Sequence, residues 1–190
     1  IVLTGQTEAF SITVTDTVTS TTTGAGADTI ALTAGTAANT LDFLSTSGND
    51  TITGFDTTED KLSFDGMTGI TATSGVAVAS NAAAITTTDA AVFVFADGND
   101  GTGAEDIDTY SGAGATTDVA AFLAAAFNDE AANDEIVTVI NDDAGNVSYV
   151  YYVDFDLGNG GAGAFDADAV THIATITEEA GVQLVTGDIA

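Results

Sequence analysis

Apolar and polar positions alternate through much of the stretch FSITVTDTVTST, from Phe10 to Thr21. Phe10, Ile12, Val14 and Val18 share one parity, and Thr13, Thr15, Thr17, Thr19 and Thr21 share the other. A period of two with β-branched residues predicts a strand with one buried face and one threonine face. The threonine face reads first as a solvated sheet surface. An ice-binding ladder, a glycosylated surface or an edge that adds a strand to a neighbouring subunit's sheet are the sharper readings.

Between residues 24 and 66, short apolar runs alternate with glycine and acid turns: GAGADTIAL, TLDFL, SGNDTITGF and TEDKLSFDG. Runs this short at this spacing predict an all-β unit of stacked turns. ITATSGVAVAS (70–80) and AAVFVFA (90–96) predict two more strands, and Val92–Phe95 has the unbroken apolarity of a strand buried on both faces.

Residues 96–114, rich in Gly, Asp and Asn, predict a long loop and a domain boundary. TTDVAAFLAAAF (116–127) predicts a helix capped by Thr116 or Thr117, with Val119, Phe122, Leu123, Ala126 and Phe127 on its apolar stripe. IVTVI (136–140), NDDAGN and VSYVYYV (147–153) predict a β-hairpin. A second helix is expected over 168–177, with Val170, Ile173 and Ile176 inward. The expected fold is mainly β: a short roll or sandwich in the N-terminal half (1–95), then a small α+β unit (96–190) with two helices and a hairpin.

Charge changes this picture most. Lys61 is the single basic side chain against 29 acids, for a formal net charge of -28. Internal salt bridges cannot offset that repulsion, so multivalent cations or a heavily solvated acidic surface must. Nucleic acid is excluded as a partner because there is no Lys/Arg footprint, and an anionic membrane would repel the chain. No apolar run approaches the roughly 20 residues of a membrane span, so no membrane insertion is expected. The absence of Cys excludes disulfides and thiolate zinc, and the lone His172 excludes a two-histidine zinc centre. His172, expected on the second helix, reads as a capped or surface histidine. No G-x-S-x-G elbow supports a catalytic triad, and the chain is not expected to be an enzyme. Starting at Ile1, it reads as a processed product or a segment of a larger precursor.

The stretch TGAGADTIA (23–31) fits the nonapeptide G-G-x-G-x-D-x-U-x at every position but the first, and STSGNDTIT (45–53) fits at Gly48, Asp50 and Ile52. Glycines let the backbone turn until carbonyl oxygens converge, and the aspartate adds a charged oxygen to a six- to eight-oxygen calcium shell. These residues resemble the RTX (repeat-in-toxin) proteins. That resemblance implies a parallel β-roll with Ca2+ between turns, held by Gly24, Gly26, Asp28, Gly48, Asn49, Asp50 and a degenerate repeat at Asp60. The segment DTITGFDTTEDKLSFDG is similar to the one that ends such arrays. Two nonapeptides would separate Asp28 from Asp50 by 18 residues rather than 22, so the roll is expected to carry an insertion. Two further acidic loops are candidates. In DGNDGTGAEDID (97–108), Asp97, Asn99, Gly101 and Asp108 hold EF-hand-like positions, with Thr102 and Asp108 departing from the usual Gly and Glu. Asp154 and Asp156 begin a weaker loop.

The C-terminal half resembles the C-terminal regions of bacterial type I secreted surface proteins, some S-layer proteins among them. The resemblance implies export by a type I secretion apparatus through an uncleaved signal near Asp188-Ile189-Ala190. The expected function is a secreted, calcium-dependent structural subunit of a cell surface or matrix, forming a homo-oligomer or polymer. The alternatives are the calcium-binding and secretion module of a larger hydrolase, or an adhesin module.

Overall fold

Short β-branched runs punctuated by glycine wind the first half of the chain into coils, each coil contributing one strand to either of two facing sheets. The computed structural model describes residues 7–14, 21–33, 38–46, 48–71, 75–78, 85–86, 91–95, 119–120, 122–123, 127–129, 135–142, 146–154, 170–179 and 183–190. Strands β1 (Ser11–Val14), β3 (Thr29–Leu32) and β5 (Asp50–Phe55) run parallel in one sheet. Strands β2 (Thr21–Thr22), β4 (Thr40–Asp42) and β6 (Lys61–Ser63) run parallel in the other. The stretch from Phe10 to Thr21, expected as one strand, thus supplies β1 to one sheet and the start of β2 to the other. Val18 and the residues around it, 15–20, lie outside the described residues.

Side-chain ladders hold the coils in register. Ile12, Ile30 and Ile52 are aligned across β1, β3 and β5, and Leu41 faces Leu62 across β4 and β6. Ile30, Leu41, Ile52, Phe55, Leu62 and Phe64 are buried between the sheets. The Phe43 and Phe64 rings stack at 5.2 Å. A period-two pattern delivers every second side chain to this layer and leaves the alternate ones outside.

The larger sheet continues past the coils. Its order is β1-β3-β5-β13-β12-β11-β9-β7, with β7 (Gly75–Val78), β9 (Val92–Phe95), β11 (Glu135–Asn141), β12 (Val147–Asp154) and β13 (Val170–Glu178). The expected hairpin is present: β11 and β12 pair antiparallel, with Asp142 N–H donating to Val147 O at 2.8 Å. The four residues of β9 are all buried, as its unbroken apolarity predicts. A second apolar layer covers the opposite face of this half, where Phe93, Phe95, Ile136, Ile140 and Tyr151 meet Val119, Phe122 and Leu123. Phe95 and Phe122 make an edge-to-face contact at 5.1 Å. Strands β8 (Ile85–Thr86) and β10 (Phe127–Asp129) form a separate parallel pair.

Mainly β is therefore correct, but the two expected helices are not seen among the described residues, and the second is replaced by a strand. No complete α-helix occurs among the described residues. Of the expected 116–127 helix, Val119, Ala120, Phe122 and Leu123 are helical, Phe127 opens β10, and the rest lies outside the described residues. The expected helix at 168–177 is instead strand β13, paired with β12 on one side and β5 on the other. The i, i+3 spacing of Val170, Ile173 and Ile176 imitates a helical stripe. Six of the eight residues from Val170 to Thr177 are β-branched, which favours a strand once both edges are paired.

The C-terminal residues dock beside β6. Ile189 bridges Leu62 in parallel, Ala190 N–H donates to Leu62 O at 2.8 Å, and Thr186–Asp188 forms a 3-10 turn. Among the described residues no helix is long and apolar enough to cross a membrane.

Candidate metal centre

Successive coils stack their glycine-acid turns into a column. Asp28 and Asp50, 22 residues apart, hold equivalent positions one coil apart, and Phe10 holds that position in the coil before. The Phe10 N–H donates to Asp28 Oδ1 at 3.0 Å, and the Asp28 N–H donates to Asp50 Oδ1 at 2.9 Å. Phe10 to Asp28 is 18 residues, the length of two nonapeptides, so the four additional residues fall in the coil between Asp28 and Asp50. Each carboxylate thus satisfies an amide of the coil below it, a need that any buried turn must meet. Gly24 N–H lies 3.5 Å from Asp28 Oδ2.

The glycines form a second column in the same turns. Gly24 and Gly26 are buried, and Gly48 and Asn49 are half-buried. Gly26 sits directly against the carbonyl of Glu8, and Gly48 against the carbonyl of Gly26. Gly48 has φ of +105°, and a Cβ there would stand 2.7 Å from Gly26 O and 3.5 Å from both Ala25 O and Asp50 Oδ1. Three oxygens from two coils therefore converge where the side chain is missing. An all-oxygen set suits a hard cation such as calcium, so the donor chemistry fits. Among the described residues no three His, Asp or Glu side chains gather closely enough to hold a metal, so carbonyl oxygens would have to complete the shell. Ala25 O, Gly26 O and Asp50 are the groups placed to do so.

Asp50 is 2% exposed, and burial pushes its carboxyl up to about 7, helped by the nearby Asp28 charge and opposed by hydrogen bonds from Asp28 N–H and the Thr23 hydroxyl. A buried carboxylate lacking a positive neighbour resists ionisation in this way.

Asp60 does not join that column. It belongs to a second one, with Asn39 in the preceding coil. Asn39 donates its N–H and its Nδ2 to Asp60 Oδ1, each at 2.9 Å, and Asp56 N–H donates to Asp60 Oδ2 at 2.9 Å. Asp56 accepts from the Thr58 N–H and hydroxyl at 2.8 and 2.6 Å, which hold its carboxyl below the usual carboxylate range. Sequence reasoning passed over Asn39. Its signal was the parallel between Asn39-Thr-Leu and Asp60-Lys-Leu, which stand 21 residues apart and pair strand to strand. Asp97, Asn99 and Asp108 lie outside the described residues, as does Asp156; Asp154 ends β12.

Two polar groups were not anticipated. Ser148 Oγ contacts both Asn141 Oδ1, at 2.5 Å, and Glu178 Oε1. Asn141 is oriented by Nδ2 donation to Phe95 O and Leu184 O at 3.0 and 2.9 Å. Lys61 Nζ lies 3.4 Å from Asp188 Oδ1, while Asp188 Oδ2 accepts from Val185 N–H at 2.8 Å. The chain's single basic side chain is thus spent on its C-terminal turn. His172 also departs from expectation: it lies on β13, 8% exposed, against Tyr151 at 4.9 Å and Tyr149 at 6.0 Å. Burial lowers its pKa and favours the neutral ring.

Comparison with family models, with curated proteins and with solved structures finds no match for this chain.

Proposed function

We propose that this chain is a secreted structural subunit of a bacterial cell surface or extracellular matrix, and that calcium held in the stacked turns drives its folding and assembly. The observation that carries the reading is the pair of columns, Asp28–Asp50 and Gly26–Gly48, in which buried oxygens of successive coils converge without a cation of the chain's own. A divalent ion beside Asp50 would neutralise charge that burial alone leaves costly, and binding to the folded form only would add folding free energy by mass action. The net charge of -28 makes the same demand on the whole molecule.

The position of Asp188-Ile189-Ala190 bears on the secretion part of this reading. Ile189 and Ala190 pair with Leu62, so an export apparatus that reads these residues would have to do so before folding. Low cytosolic calcium would hold the chain in that unfolded state, and calcium outside would fold it. The alternative reading, a calcium-binding secretion module of a larger hydrolase, shares this chemistry and differs in having no self-assembly.

The test is to titrate calcium into chelated protein while following circular dichroism, light scattering and electron microscopy. The reading expects a rise in β signal and then ordered polymer, both reversed by chelator, with sodium at equal ionic strength substituting poorly. Ordered polymer that survives exhaustive chelation would remove calcium from the assembly. Folding in calcium without any polymer would favour the secretion module.

A further inference from the structure

The two ends of the large sheet are the strands β1 and β7, and among the described residues nothing pairs with the outer edge of either. Seven of the eight strands run in one direction. β1, β3, β5 and β13 are mutually parallel, β12 is antiparallel to both β13 and β11, and β11, β9 and β7 are parallel again. The two edges therefore point the same way, from opposite ends of one sheet.

Among the described residues neither edge strand carries the usual protection against pairing. Exposed edge strands generally carry charge, proline or a bulge. Here β1 reads SITV and β7 reads GVAV, without a charged residue in either, in a chain with 29 acids. Among the described residues the exposed large apolar side chains are Phe10, Val76 and Val185. Phe10 precedes β1 and Val76 lies in β7. Val185 precedes the 3-10 turn that packs on β7, where a Cβ on Gly75 would come within 3.2 Å of Thr186 Cα.

The backbone of β1 supplies the bonding groups. Phe10 O and Val14 O accept from Thr29 and Thr33 of the neighbouring coil. Successive residues of a strand present their amide and carbonyl to opposite sides, so those of Ser11 and Thr13 point away from β3.

Resting on the structural-subunit reading, we propose that copies of this chain join head to tail, the outer edge of β1 on one copy pairing in parallel with the outer edge of β7 on the next. Two different edges make a heterologous contact, which repeats into an open filament unless the rotation closes a ring. Pairing β1 with β1 about a two-fold axis would instead be antiparallel and would leave β7 open. The absence of charge on both strands lets this contact form where acidic surfaces would repel, and calcium acts on the subunit rather than across the joint.

The chain has no cysteine, so crosslinking can read the contact directly. Thr13 and Val76 are both exposed, and each lies on the sheet face opposite the inter-coil core, Val76 through its alignment with Phe93. Full-length Thr13→Cys and Val76→Cys chains are treated with a short bis-maleimide in calcium, separately and mixed. Head-to-tail pairing expects covalent dimers only in the mixture, and a ladder of multimers from the chain carrying both changes. Thr13→Pro removes one outward amide and spares the bonds to β3; it should leave the unfolding temperature unchanged and abolish polymer. Should proline disturb β1 itself, Val76→Lys tests the other edge. Dimers from Thr13→Cys alone would establish two-fold pairing and overturn the proposal. Polymer without mixed crosslinks would overturn it and spare the structural role. Mixed crosslinks that persist in chelator would sustain it and remove calcium from assembly. No polymer and no crosslink would overturn both.

Discussion

At the scale of single residues, the acidic positions accept amide hydrogen bonds from neighbouring coils, and the proposed function gives them a second role in holding calcium. Asp28, Asp50 and Asp60 were legible as special because each follows a glycine, asparagine or acid turn and precedes an apolar strand residue. What the pattern could not reveal is that their oxygens accept amides of the preceding coil, because that partner lies about 20 residues away and depends on coil length. Asp50→Asn separates the two roles. The amide retains an oxygen for the Asp28 N–H at 2.9 Å but carries no charge. In chelator at pH 8 the variant should equal or exceed the parent in stability, by on the order of 1–3 kcal/mol, since a buried unpaired charge is removed. In millimolar calcium it should lose most of the parent's calcium-dependent gain. Urea unfolding with and without calcium measures both. A variant as calcium-responsive as the parent would show that Asp50 serves only as a hydrogen-bond acceptor.

At the scale of elements, legibility followed exposure to water. The coils, with one face buried and one outside, print a clean alternation and were readable from Ile12 to Leu62. The hairpin was readable because β11 and β12 flank a turn rich in Asp, Asn and Gly. Strand β13, inserted between β5 and β12, was misread because Ile173 breaks the parity of its buried residues: Ile173, Ala174 and Ile176 are buried, while Thr175 and Thr177 are half-buried. A register shift at Ile173, between the Val150–Ala174 and Tyr151–His172 pairs, interrupts the period of two that identifies a strand. The contribution of β13 follows from its place: Ile176 aligns with Ile52 and continues the isoleucine ladder of the coils into the second half. Ile176→Ala should cost about 2–5 kcal/mol through lost burial and the cavity left behind. Thr177→Ala, half-buried on the opposite face, should cost less than about 1 kcal/mol. Chemical denaturation of the two variants decides it, and equal costs would contradict the strand and its facing.

At the scale of the whole molecule, a charge of -28 makes stability a function of pH, and one buried group gives that dependence a local signature. Glu178 is 4% exposed at the end of β13. Burial pushes its carboxyl up to about 7, with the hydrogen bond from Ser148 opposing and the charges of Asp188 and Asp142 adding to the rise. The Ser148 hydroxyl lies between two acceptors, Asn141 Oδ1 and Glu178 Oε1, and Asn141 is held by donation from its Nδ2 to Phe95 O and Leu184 O. For an acid whose folded pKa lies above its unfolded value of 4.5, the folded state binds the extra proton. Stability from this group is therefore full below about pH 4.5, falls as pH rises, and levels off above about 7, a loss on the order of 3 kcal/mol at about 1.4 kcal/mol per pK unit. General repulsion among the acids adds a slope of the same sign, so the group must be isolated by difference. Glu178→Gln removes the titrating carboxyl and keeps a neutral side chain whose amide oxygen accepts from Ser148 at every pH. Its stability should match the parent near pH 4.5 and exceed it increasingly toward pH 7 in chelator, where thermal unfolding of the two proteins is compared. Parallel curves for parent and variant from pH 4.5 to 8 would mean that Glu178 titrates alike in the folded and unfolded chain. The pH dependence would then belong to the distributed surface charge alone.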